Sequence, residues 1–173
     1  MKVIRIDSGM NPFAASLVPD SAIRPDRRPL FLPEGKWKCE IRMAVRVSRL
    51  GKMISYKFAP RYYADFAFVN CLLPADGSGF RFDIMDDAIV LGQWEPIESA
   101  PGEVCFDGSC GKCHLSREEI DRYIVDISAK ATFKTGDIII LPTPIFAFEP
   151  QIGQHVELSL PGDTQPLLQF NIK

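Results

Sequence analysis

Histidine is scarce in this sequence: only two of its 173 residues are histidine, and none precedes His114. A histidine base or histidine metal ligand is thereby excluded from the N-terminal part. Charge of one sign is lacking as well. The 20 basic and 22 acidic residues leave a net charge of −2 and a pI near 5.7, which gives no basic footprint, so no nucleic-acid and no membrane partner is expected. No apolar run approaches the length of a membrane span, and Met1-Lys2-Val3-Ile4-Arg5-Ile6-Asp7 is broken by charge before it reaches signal-peptide length. The expected compartment is the cytoplasm. There is no internal repeat and no low-complexity tract, and 46% hydrophobic with 24% charged residues is the composition of an ordinary globular chain. The length suits a single domain, 1–173.

What is present is organised around Cys39 to Lys52. Ile41, Met43, Val45 and Val47 alternate with Glu40, Arg42, Ala44, Arg46 and Ser48, which is the period of a strand. One face can enter a core while the other aims a carboxylate and a guanidinium into the same space. Before it, Lys2 to Ile6 reads as a short strand and residues up to Arg28 as an irregular lead-in (1–28). After it, a hairpin around Leu50-Gly51-Lys52 is expected to return as a strand over Met53 to Phe58, with a helical turn over Arg61 to Ala64. Phe66 to Leu73 has the length of a buried strand, Asp76-Gly77-Ser78-Gly79 of a tight connection, and Phe80, Phe82 and Ile84 alternate. Ala88 to Leu91, a hairpin at Asp107-Gly108, Ile138 to Leu141, Gln154 to Leu160 and Leu167 to Ile172 supply further strands. Ser116-x-x-Glu119 is a capping box that opens a helix over about 116–130, with Ile120, Tyr123, Ile124 and Ile127 at helical spacing. Many short strands, fourteen prolines and one good helix describe a β-rich α+β fold.

Several landmarks come in a recognisable order: Pro19-Asp20-Ser21-Ala22-Ile23, Glu40 ahead of an apolar strand, Arg49-Leu50-Gly51-Lys52, Phe58-Ala59-Pro60-Arg61-Tyr62-Tyr63, Thr135-Gly136-Asp137, Thr143-Pro144, Ile152-Gly153 and Phe170-Asn171-Ile172-Lys173. In series they resemble the bacterial branch of the fumarylacetoacetate hydrolase family. The resemblance implies a mixed β-sandwich or roll, a homodimer, and a magnesium- or manganese-dependent enzyme that hydrolyses, isomerises or decarboxylates small oxo- or dioxo-acids. The family's catalytic domain is usually longer, so a trimmed version is expected. A lid with a His-x-x-Glu pair, common in active relatives, has no counterpart before His114.

By the same resemblance, a Glu-x-Glu pair and a later aspartate hold the divalent ion, and those positions are Glu40, Arg42 and Cys71 here. A guanidinium cannot ligate a cation, and a thiol is too soft a ligand for magnesium. The family lysine falls on Asp83. Glu40, Arg42, a neutral Cys71 and Asp83 come close to charge balance without an ion, so Arg42 is expected to take the cation's place, paired with Glu40 or Asp83. Thr143 matches the threonine that touches the substrate carboxylate in the family's Gly-Thr-Pro turn, with Pro142 replacing the glycine; a plain turn residue is the other reading.

The five cysteines, with no export signal, read as thiols rather than a disulfide framework. Cys110-Gly111-Lys112-Cys113-His114 matches a haem-attachment string, but no export signal or helical haem-binding pattern accompanies it. Cys110-x-x-Cys113 also has zinc-knuckle spacing, and Cys105 with His114 would complete four ligands. Against zinc, Cys113 and His114 are adjacent and point opposite ways in extended backbone, and no second knuckle follows. An unliganded surface loop is the plainer reading.

The functional expectation is therefore a homologue that has lost metal-dependent catalysis, a pseudoenzyme serving as a binding or scaffold protein, with no cofactor and with a small carboxylate as its possible ligand. Two alternatives stand beside it. One is an active hydrolase, isomerase or decarboxylase of small oxo-acids that uses Arg42 as electrophile and Cys71 as nucleophile. The other is a zinc-bearing interaction module on the 105–114 loop.

Overall fold

A computed structural model describes residues 1–7, 14–75, 85–163 and 165–173. The connection expected at Asp76 to Gly79, the strand expected over Phe80 to Ile84, and Asp83 lie outside these residues.

The expected central strand forms as β4 (Trp37–Val47) and pairs antiparallel with β5 (Tyr63–Pro74) along its whole length. β10 (Ile138–Ile140) pairs with the far half of β4 and β11 (Phe146–Phe148) with its near half. β1 (Val3–Asp7) joins β10 in parallel, and β2 (Ala14–Val18) closes that edge. On the other side β6 (Ile89–Leu91) pairs with β5, β3 (Ile23–Pro25) with β6, and the two-residue β7 (Glu95–Pro96) with the start of β5. A second sheet runs β13 (Pro166–Asn171), β12 (His155–Ser159), β8 (Glu103–Phe106), β9 (Ser109–Lys112). The architecture is β-rich with one main helix, α1 (Arg117–Lys130).

The odd-numbered face of β4 behaves as its alternation dictates. Ile41, Met43 and Val45 are buried together with Phe66 and Phe68 of β5, with Ile120, Ile124 and Ile127 of α1, and with Val156, Leu158, Leu168 and Phe170 of the second sheet. Burying each such side chain contributes about 2 kcal/mol. α1 starts where the capping box places it, Ser116 Oγ accepting from the Glu119 N–H at 3.3 Å. The β8–β9 hairpin turns at Asp107 and Gly108, whose φ angles of 48° and 74° are those of a two-residue hairpin turn.

Three expectations need correction, one being the helical turn over Arg61 to Ala64, since Tyr63 and Ala64 already belong to β5. The lead-in 1–28 is not irregular among the described residues, since β2 and β3 both fall within it; they are short edge strands, β2 pairing with the preceding β1 and β3 with the distant β6. Met53 to Phe58 is not a strand. Its N–H groups turn to α1, Met53 to Ser128 O and Ile54 to Ser128 Oγ, both at 2.9 Å, and the chain then tightens into a 3₁₀ segment over Tyr56–Arg61 containing Pro60. Without a free ladder of donors no hairpin with β4 can form.

Candidate functional site

The middle of the even-numbered face of β4, from Glu40 to Ala44, is also buried, and this face is where the strand's charges are placed. Strand register sets Glu40 opposite Cys71, Arg42 opposite Val69 and Arg46 opposite Asp65, while Ala44 lies next to Ile140 and Ile140 next to Arg5. The apolar part of this face comprises Val3, Ala44, Val69, Cys71, Ile89, Ile138 and Ile140. Into it project a carboxylate and a guanidinium, Glu40 being 6% and Arg42 4% exposed. An isolated charge in such surroundings is prohibitively costly, so each requires a partner.

The partner is the neighbour two residues along the strand. Arg42 Nε donates to Glu40 Oε2 at 2.9 Å, Nη2 donates to the same oxygen, and Nη1 donates to Ile6 O at 3.2 Å. Lys38, also on this face, sets its Nζ 2.8 Å from Glu40 Oε1. Both oxygens of Glu40 are therefore held by cations. Burial acts to raise the Glu40 pKa, but the hydrogen bonds and charges of Lys38 and Arg42 outweigh it and hold the carboxyl below its usual value. Further along the face Arg46 pairs with Asp65, its Nε donating at 3.0 Å, and lies 5.0 Å from the Trp94 ring centre.

Cys71 faces this group with no exposure at all. Burial pushes its thiol up to about 11 in spite of the nearby charges of Arg42 and Arg5. A nucleophilic cysteine needs the opposite, a thiolate at neutral pH and an accessible sulfur. Cys71 packs as a small apolar residue.

The structure brings Glu40, Arg42 and Cys71 together and leaves Thr143 apart. The 142–144 loop leaves the sheet at Leu141, whose N–H donates to Met43 O, and returns at Ile145, whose N–H donates to Ile41 O. Thr143 is exposed and lines a cleft with Met43, Lys112, His114, Ser116 and Tyr123, on the α1 side of β4. That is the face away from Glu40 and Arg42.

In the 105–114 cluster the expectation that needs correction is that all five cysteines are thiols. Cys105 and Cys110 form a disulfide, with Cα atoms 4.0 Å apart. The Asp107-Gly108 turn fixes a register in which these two residues are directly opposite, so their sulfurs meet. Two of the four residues of the zinc alternative are consumed, as is the first cysteine of the haem string. Cys113 lies just beyond β9, packed against the core, and burial pushes its thiol up to about 11. Among the described residues no three of His, Cys, Asp or Glu stand where they could hold a metal ion.

Lys38 and Arg5 were missed by sequence reasoning. Lys38 was legible, since 38, 40 and 42 share a face. Arg5 was not, because its place depends on the parallel pairing of β1 with β10.

No protein-family model matches the sequence, and no curated protein matches it. Solved structures do. A 5-carboxymethyl-2-hydroxymuconate delta-isomerase from Mycobacterium smegmatis superposes with a TM-score of 0.76 at 20% identity, covering 99% of this chain and 78% of that one. A protein from Yersinia pestis described as belonging to the fumarylacetoacetate hydrolase family gives 0.79 at 20% identity, over 99% of this chain and 92% of that one. A fumarylpyruvate hydrolase from Pseudomonas aeruginosa, in complex with Mn2+ and pyruvate, gives 0.80 at 14% identity over 99% and 89%. The chain has the fumarylacetoacetate hydrolase fold.

The divalent ion that this fold implies calls for several hard oxygen ligands. Of the positions the resemblance assigns to it, the described residues offer Glu40, whose two oxygens are engaged, a guanidinium and a buried neutral thiol. This donor set does not fit magnesium or manganese.

Proposed function

We propose that the protein is a fumarylacetoacetate hydrolase family member that has given up divalent-metal catalysis and serves as a binding or scaffold protein. The observation that carries this reading is the Glu40–Arg42 pair: a fixed guanidinium stands beside the one carboxylate of the family's set found among the described residues. In active relatives the resemblance implies an ion that polarises an oxo group and holds an enolate. Arg42 is poorly suited to replace it as an electrophile, because Nε, Nη1 and Nη2 already donate to Glu40 and Ile6. A homodimer and a small carboxylate ligand belong to the same proposal and rest on the family resemblance.

The opposing reading, an active hydrolase or isomerase with altered site chemistry, draws support from the names of the structural relatives. Calorimetric titration of the protein with MnCl2, with Glu40→Gln as control, separates the two. The proposal expects no saturable site that Glu40→Gln removes. A stoichiometric site lost with Glu40→Gln would restore the enzyme.

A further inference from the structure

Averaged over the chain, charge is unremarkable; along one segment it is not. Arg49, Lys52, Lys57 and Arg61 are four of the 20 basic residues, and none of the 22 acidic ones lies between them. All four are exposed and none has an acidic partner among the described residues. Interleaved with them are Leu50, Met53, Tyr56 and Phe58, exposed by 69, 79, 50 and 42%. These four are half of the eight large apolar side chains exposed among the described residues, gathered within 50–58. Single exposed apolar residues are ordinary, whereas a cluster of them marks an interaction surface.

The segment is pinned from beneath. Gly51 and Phe133 exchange both backbone hydrogen bonds, at 3.2 and 2.8 Å, and Met53 and Ile54 donate to Ser128. Ile54 and Ala59 face inward and are buried. Gly51 permits the close approach: a Cβ there would stand 2.3 Å from the Tyr62 ring and 2.9 Å from Ile54. Met53 sits at φ 52°, a left-handed conformation uncommon for any residue but glycine. The backbone is held while the apolar side chains project outward. Lys57 and Arg61 flank the Phe58 ring at 5.9 and 5.2 Å from its centre, so basic and apolar groups share one surface.

Charge decides the occupant. A two-fold contact centred on this patch would set four unpaired cations against four more. An anionic partner removes that conflict, and a lipid surface accepts projecting side chains without the shaped sockets a protein partner needs. We propose that residues 49–61 form a docking face for an anionic lipid surface, with Leu50, Met53 and Phe58 entering the boundary between headgroups and acyl chains and Arg49, Lys52, Lys57 and Arg61 meeting the phosphates. Docking of this kind needs no spanning helix, and none of the described helices is long and apolar enough to be one.

The test is co-sedimentation of the full chain with vesicles of equal parts phosphatidylcholine and phosphatidylglycerol, and with phosphatidylcholine alone. Binding is expected to the first and not the second, and to weaken as salt is raised. Neutralising two charges with Arg49→Gln and Lys52→Gln is expected to weaken it roughly thirtyfold. Leu50→Ser with Met53→Ser is expected to weaken it roughly tenfold, these exposed positions leaving thermal unfolding unchanged. Failure to bind the anionic vesicles, equal binding to neutral ones, or indifference to both double variants would overturn the proposal. So would retention on poly-glutamate resin without vesicle binding, which assigns the face to an acidic protein, or a dimer split by Leu50→Ser with Met53→Ser, which assigns it to a second copy.

Discussion

On the odd-numbered face of β4, Ile41, Met43 and Val45 need only neighbours of the right shape; on the even-numbered face, Glu40 and Arg42 need each other. These five side chains are all buried, yet their response to substitution should differ in kind. Truncating an apolar side chain leaves a cavity, while removing one ionic partner leaves the other charge buried and alone.

The largest expected effect breaks the comparison at its polar end. Arg42→Met should cost about 3–5 kcal/mol in urea unfolding, because Glu40 is left with Lys38 alone. Glu40→Gln combined with Arg42→Met should recover most of that loss, since a vanished pair leaves no orphan. Met43→Ala, on the opposite face, should cost about 3 kcal/mol from cavity formation. Its effect should add to that of Glu40→Gln within about 0.5 kcal/mol, as two faces with separate neighbours require. Strong coupling between them would show that the faces do not act independently.

A smaller effect lies at the β8–β9 hairpin. Cys110→Ser should cost about 2 kcal/mol, the worth of closing so short a loop, and zinc should not accompany either protein through purification. Smallest is the response to acid. Glu40 and Asp137 both titrate below their ordinary values: burial opposes this, but Lys38 and Arg42 prevail at Glu40, and the Lys2 side chain with the Lys2 and Lys134 N–H groups prevails at Asp137. A carboxyl with a lowered folded pKa stabilises above its unfolded pKa, and that contribution is lost as pH falls through the folded value. Stability should therefore be flat near neutrality and fall below the ordinary carboxylate range, with a shallower fall in Glu40→Gln.

Where local signals carried the structure, the sequence was legible. The alternation of 39–47, the apolar run 66–73, the capping box at Ser116 and the Asp107-Gly108 turn each appear where their residues place them. What was illegible depended on pairing that no local pattern announces. β2 and β3 carry no pattern long enough to announce an edge strand, and Met53 to Phe58 alternates like a strand, but its Met53 and Ile54 N–H groups donate to α1 and Phe58 donates to Ser55. At the site, the charges of Glu40 and Arg42 were readable from their shared face, and so was Lys38. The placement of Thr143 on the other side of the sheet depends on how the 142–144 loop leaves β10, and the Cys105–Cys110 bond depends on hairpin register. Neither is written in spacing alone.

The central claim is that Arg42 occupies the place of a cation. Elemental analysis of protein purified without chelators, beside Glu40→Gln, tests it most directly. The account predicts no stoichiometric magnesium or manganese in either protein. One equivalent in the native chain that disappears with Glu40→Gln would contradict it.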